Sequence, residues 1–309
     1  SGVTTSYTDG KSIDFSNVLV ATISTSINEI NTALANGYHL ILCGGNYNFG
    51  TSIKVVKSNT VILGIGFPVI TPMNGNIVID VASGLYGVRI AGLLLQAGKV
   101  NSPTLLQVGS KGDGNGNALN PNIITDVFAR VGGENDPNVY QVYTDSMIDI
   151  NTGNTIIDNT WLWRADHSVA GSTVNSQNPV KNGLNYYGNN GTTYGLACEH
   201  TLQNCVNWYG NTGSVYFFQC ELPYDVTQSN YGDPGFSGFN IIGSGFKGYG
   251  MGVYCYFEYN TVYANSGINA TSDAQLLNSL AVFLNGNGGI KHIVNNQGNA
   301  VTGPNTSVQ

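Results

Sequence analysis

Residues 192–223 read TTYGLACEHTLQNCVNWYGNTGSVYFFQCELP. Two short apolar segments, TTYGLACEH (192–200) and GSVYFFQCELP (213–223), lie in this stretch with turn residues between them. Cys198 and Cys220 occupy matching places 22 residues apart, about one coil of a β-solenoid. Similar segments recur on both sides. NTVILGIG (59–66), NIVIDV (76–81), GVRIAGLLLQAG (87–98), NIITDVFARVGG (122–133) and NTIIDNTWLW (154–163) come before it. FNIIGSGF (239–246), GVYCYFEYN (252–260), LAVFLNG (280–286) and IKHIVNN (290–296) follow. Gly and Asn bound these runs and supply positive-φ corners between strands. A β-sandwich would show hairpin turns every 8–12 residues or so, and consistent ones are lacking. The recurrence predicts an all-β, right-handed parallel β-helix.

One segment reads as helix. Ser26 and Glu29 form a capping box, Ile27, Ile30 and Leu34 share a face, and Gly37 ends the run. A helix over approximately 24–37 would plug the open end of the coil. The expected layout is a single domain over 1–309, with coils over 38–300 and a tail over 301–309.

Composition narrows the partners. Only 9% of residues are charged, where about 25% is ordinary. Net charge is −7 and no Lys/Arg cluster exists, which argues against nucleic acid and anionic membrane surfaces. No apolar run approaches the roughly 20 residues that cross a bilayer, so no membrane insertion is expected. No signal peptide is visible after Ser1, which fits a mature, processed form or a fragment. Poverty in charge with abundant Asn, Thr and Tyr suits a neutral, hydroxyl-rich partner such as a polysaccharide, met outside the cell.

The five cysteines include no CxxC pair, and neither a metal site nor a cofactor is expected. KGDGNGNALNP (111–121) sets Asp113, Asn115 and Asn117 at alternate positions like a calcium loop. Ala118 stands where that loop needs Gly, and Ile124 where it needs Glu, so it reads as a plain loop. A Cys198–Cys220 disulfide is a candidate, with Cys205 as a rival partner. Asn190, Asn269 and Asn305 head sequons that matter only in a eukaryotic secretory route.

Three stretches concentrate functional side chains. WLWRADHS (161–168) packs two Trp, an Arg, an Asp and a His together, as either a hydrogen-bonded site or a rung with Arg164 and Asp166 paired at its rim. CEHTLQNCVNWYG (198–210) adds Glu199, His200, Trp208 and Tyr209, with His200 favoured as a structural histidine. In QCELPYDV (219–226), Glu221 ends an apolar strand and is stopped by Pro223. It is either a partly desolvated general acid or a solvated turn carboxylate.

TWLWRADHS, GLACEH and YFFQCELPYD resemble, in order and spacing, the second β-helix of glycoside hydrolase family 55, the exo-acting β-1,3-glucanases. The family's stretches read roughly Trp-Leu-Trp-Thr-Ala-Asp-His, Glu-His and Gln-Thr-Glu-Thr-Pro-Tyr. Trp161, Leu162, Trp163, Ala165, Asp166 and His167 match the first motif, and Glu199 with His200 match the second. Gln219, Glu221, Pro223 and Tyr224 match the third, while Cys220 and Leu222 stand where the family has Thr. The resemblance implies Glu221 as general acid of an inverting hydrolase, with Asp166 and Asp225 the nearest second carboxylates. Trp163, with Trp208 or Tyr209, would offer stacking faces, and His167, Glu199, His200, Gln219 and Tyr224 would line the site. The family builds its site between two tandem β-helices, and this chain is long enough for one, so an upstream β-helix would be missing. The other reading is a non-catalytic extracellular structural or glycan-binding β-helix that self-assembles end to end.

Overall fold

The computed structural model describes residues 10–114, 116–134, 141–169, 171–304 and 306–308, the last three as backbone alone. Asn115 and Asn305, singled out above, lie outside the described residues. The fold is a parallel β-helix.

Two sheets run the length of the molecule. The larger adds parallel strands in chain order: Val18–Ala21, His39–Cys43, Val61–Ile65, Arg89–Gln96, Ile123–Val131, Ile156–Arg164, Thr192–Glu199, Ser214–Glu221, Lys247–Ala264 and Leu280–Ile290. The second does the same from Ile53–Val55 through Ile79–Val81, Leu106–Val108, Ser146–Ile150, Asn182–Tyr186, Val206–Trp208 and Phe239–Ile241 to Ile268–Asn269. The chain thus visits each sheet once per coil and climbs one strand each time. Thr306–Val308 returns antiparallel against Leu280–Val282, so part of the expected tail pairs with the last long strand.

The helix spans Ile27–Ala35. The Ser26 N–H donates to Glu29 Oε2 (2.8 Å), and the Glu29 N–H donates to Ser26 Oγ (3.2 Å), which closes the capping box. Gly37, at φ +91°, takes the left-handed position that ends it. A strand precedes it: Val18–Ala21 pairs with His39–Cys43, so the helix is the crossover between two parallel strands rather than a plug ahead of the first coil. Ile30 and Leu34 are its buried face.

A stack of left-handed residues bends six successive long strands at one level. Gly92, Asp126, Asn159, Gly195, Phe217 and Gly250 lie opposite one another on successive strands, with φ between 51° and 72°. Gly adopts this conformation freely, and Asn and Asp tolerate it. Phe217 is the exception: a bulky residue at φ +64° with 67% of its surface exposed. Inside the bend, Leu196, Phe218 and Met251 stack in one apolar row, and Leu162, Cys198, Cys220 and Val253 in the next. Burial of such rows on every coil is what holds a solenoid together. Polar side chains stack too: Asn240 donates to Asn207 (3.1 Å), Asn207 to Asn185 (3.0 Å), and Asn185 to Asp149 (3.0 Å).

Candidate active site

The corner decides which side chains meet. Beyond it residues alternate, so the second and fourth positions face outward on every coil. From Asn159 these are Trp161 and Trp163, and from Gly195 they are Ala197 and Glu199. From Phe217 they are Gln219 and Glu221, and from Gly250 they are Gly252 and Tyr254. One outward row therefore reads Trp163, Glu199, Glu221, Tyr254 across four neighbouring strands. Strand spacing of about 4.8 Å sets the two glutamates side by side. Ala197 and Gly252 keep the adjoining row shallow around Gln219.

Both carboxylates are half-buried and held by named donors. Glu199 Oε2 accepts from Trp161 Nε1 at 2.8 Å. Burial lifts the Glu199 pKa above its ordinary 4.5, and the charge of Glu221 adds to this, while bonds from Trp161 and Gln219 oppose it. Glu221 Oε2 accepts from the Tyr224 hydroxyl. Burial, and then the Glu221 carboxylate, push the Tyr224 hydroxyl far above its ordinary pKa, so it stays a donor. The Tyr224 ring is wedged edge-on between His200 (4.4 Å) and Tyr256 (4.8 Å).

His200 is buried at φ +63°. Its Nδ1 meets the Leu222 carbonyl at 3.3 Å and its backbone N–H donates to the Glu221 carbonyl at 2.8 Å. Its Nε2 then lies 3.9 Å from Glu221 Oε2 and 3.8 Å from Asp166 Oδ1. Asp166 Oδ1 also accepts from Trp163 Nε1 (3.2 Å) and lies 3.1 Å from His167 Nδ1. Trp163, Asp166, His167, Glu199, His200, Gln219, Glu221 and Tyr224 thus fall in one cluster. Trp161 and Trp163 stack at 5.2 Å and wall an apolar recess of about 270 Å³ with Phe67, Leu94 and Phe128.

Several expectations are corrected. Trp208 is fully buried, stacked on Tyr186 at 4.1 Å with Phe246 edge-on at 5.4 Å, so it offers no sugar face. Its strand belongs to the second sheet, and the ring fills the coil interior. Tyr209 is outward but on that same side, stacked on Tyr187 at 4.6 Å and near Asp149, away from the glutamate pair. Arg164 does not pair with Asp166 at the rim. It points inward and makes a bidentate, buried pair with Asp225, at 2.8 and 2.7 Å. Asp225 is occupied there and faces no opening. All five cysteines are thiols, and Cys220 Sγ lies 3.1 Å from Cys205 Sγ rather than bonded to Cys198. In register, Cys198 and Cys220 run parallel, which leaves Cys205, from the facing wall, between them.

Sequence reasoning gave Trp161 its place in the matched motif but no role in the site, and left Tyr254 out. The Trp-Leu-Trp alternation would have placed Trp161 outward beside Trp163, since Leu162 is the inward residue. Nothing in the sequence registers Tyr254 against Glu221 before the coils are aligned. Of the sequons, Asn190 is exposed and accepts from Thr212, while half-buried Asn269 donates to the Gly235 carbonyl at 3.3 Å. Asp113, in the loop compared with a calcium site, accepts from the Gly84 N–H (2.6 Å) and the Thr152 hydroxyl.

The LAM55 pectate lyase-like domain matches residues 18–221. The chain belongs to this family. An exo-β-1,3-glucanase of Streptomyces sp. (strain SirexAA-E) is 35% identical over 308 residues, which is 96% of this chain and 49% of that relative. The solved structure of sacteLam55A from the same Streptomyces superposes with a TM-score of 0.90 at 33% identity, covering 97% of this chain and 55% of that one. A variant of that protein in complex with glucose gives 0.88 at 33% identity, covering 98% and 56%. This LAM55 chain spans about half the length of the relatives it matches. No helix among its described residues is long and apolar enough to cross a membrane.

Proposed function

We propose that this LAM55 domain is the acid-bearing half of an extracellular glycoside hydrolase that acts on a neutral β-1,3-glucan. The observation that carries the reading is the in-register pair Glu199 and Glu221, flanked on the same outward row by Trp163 and Tyr254. Glu221 protonates the glycosidic oxygen of the departing sugar. Tyr224 engages Oε2, so Oε1 is the oxygen that carries the proton. His200 and Asp166 stand behind and order the acid. Trp161 and Trp163 give the sugar ring an apolar face, and Gln219 and Glu199 bind its hydroxyls.

Inversion requires a water on the opposite side of the sugar, with the two carboxyls about 6.5–9.5 Å apart. Asp166 shares His200 Nε2 with Glu221, at 3.8 and 3.9 Å, so it orders the acid from behind and the carboxylate that holds this water belongs across the cleft. The opposite wall of the cleft falls to a second β-helix, in keeping with the twofold greater length of the relatives. The alternative, a non-catalytic glycan-binding or self-assembling β-helix, draws on the tyrosine ladder of exposed Tyr194 and Tyr216 and half-buried Tyr249, stacked at 5.1 and 5.0 Å.

The test compares wild type with Glu221→Gln, each in the full-length protein that carries the opposite wall, on laminarin and laminari-oligosaccharides, following released glucose by chromatography. Activity in wild type and none in a folded variant is the expected result. Equal inactivity of both, with laminarin retained on affinity electrophoresis, would favour the binding module.

A further inference from the structure

The coil interior below the glutamate pair holds a thiol cluster that the proposed chemistry does not use. Cys198, Cys205 and Cys220 are all fully buried. Cys220 lies on the inner side of Ser214–Glu221, one residue before Glu221, whereas Cys205 leads into Val206–Trp208 of the opposite sheet. Their sulfurs are 3.1 Å apart, inside the ordinary contact distance of about 3.5–4.0 Å between non-bonded atoms. Cys198 is directed elsewhere: its Sγ meets the Cys205 carbonyl oxygen at 3.3 Å. Glycines make room for these sulfurs. A Cβ at Gly183 would sit 2.2 Å from Cys198 Sγ, and one at Gly238 would sit 3.0 Å from Cys220 Sγ.

We infer that Cys205 and Cys220 form an intrachain disulfide when the chain folds under oxidising conditions, and that Cys198 remains a thiol. The reaction needs a two-electron acceptor, a small-molecule disulfide such as oxidised glutathione. One cysteine thiolate attacks it, forms a mixed disulfide and releases one glutathione thiolate. The second cysteine thiolate then displaces the other glutathione, so two protein thiols become one disulfide and the glutathione disulfide becomes two thiols. Full burial places this exchange before the coils stack, and shields the finished bond from reductant. The bond closes a 15-residue separation and ties one sheet to the next coil of the other. It thereby anchors the strand end that carries Glu221, although the inference itself does not depend on what Glu221 does.

The test is to refold the chain with reduced and oxidised glutathione, denature it in guanidinium, and count thiols. Three reactive thiols of the five, and a mapped peptide joining Cys205 to Cys220, are expected. Cys198→Ser keeps that bond and leaves two reactive thiols. Cys205→Ser and Cys220→Ser leave four each. The oxidised wild type should melt about 5–10 °C above the same protein reduced in denaturant and refolded with dithiothreitol. Five thiols after oxidative refolding would overturn the inference, as would a crosslinked peptide that contains Cys198. Should Cys205→Ser fail to fold, the Cys198→Ser count and the wild-type peptide map still decide the pairing.

Discussion

Asp225→Ala separates a structural carboxylate from a chemical one. Asp225 accepts two bonds from Arg164, at 2.8 and 2.7 Å, and one from the Ser176 N–H at 2.8 Å. The paired side chains are 1% and 2% exposed. Truncation leaves a buried guanidinium with only the Gln177 and His200 carbonyls, at 2.7–3.2 Å. Breaking one side of such a pair costs about 3–5 kcal/mol, because the remaining charge has lost its counterion without regaining water. At about 2–4 °C per kcal/mol for a large domain, the midpoint should drop by roughly 6–20 °C in a calorimetric scan. The double variant Arg164→Met with Asp225→Leu removes both charges and should recover most of that loss. Laminarin hydrolysis, if present in wild type, should persist in Asp225→Ala below its melting point. An unchanged midpoint together with abolished hydrolysis would refute the reasoning and return Asp225 to the chemistry.

Phe217→Asn should stabilise the fold by about 1 kcal/mol, since Asn tolerates the left-handed corner and the exposed Phe ring loses little packing; a lower midpoint by calorimetry would show that the ring is held for a reason within the fold. Trp208→Ala should cost about 3–5 kcal/mol through the cavity it opens, yet leave laminarin affinity of the folded protein unchanged on affinity electrophoresis. Glu199→Gln tests the raised pKa of Glu199. The folded state holds that proton to higher pH than the unfolded chain, so the stabilising contribution is full below 4.5 and is lost as pH rises through the raised value. The midpoint of wild type relative to Glu199→Gln should therefore fall across that window, and a relative midpoint that rises or stays level would remove the assigned desolvation.

The sequence carries local information well and long-range registration poorly. The capping box of Ser26 and Glu29 was legible because both partners lie within one helical turn, and the structure makes both of its bonds. The strand runs were legible from apolar stretches between Gly and Asn. Arg164 was not, because its partner Asp225 is 61 residues away and meets it only after two further coils have formed. Trp208 misled for a related reason. Val206, Asn207 and Trp208 are all buried, the Asn inside a polar stack and the Trp inside the coil, so no alternation marks which way the ring points.

The same physics explains why the candidate site is readable as motifs but not as geometry. A parallel solenoid converts distance along the chain into adjacency whenever two residues stand at equal offsets from the corner. Trp163, Glu199, Glu221 and Tyr254 each sit four residues after a left-handed residue: Asn159, Gly195, Phe217 and Gly250. Because that offset is shared, a single-residue insertion directly after Phe217 would turn Glu221 into the core and Cys220 out, without altering any motif residue. The corner stack, rather than the motifs, is therefore what places the two carboxylates side by side. That gives Phe217 a second meaning: its strained backbone is the price of keeping the strand of Glu221 in phase with its neighbours, so Phe217→Asn should leave the Glu199 and Glu221 row intact while relieving the strain.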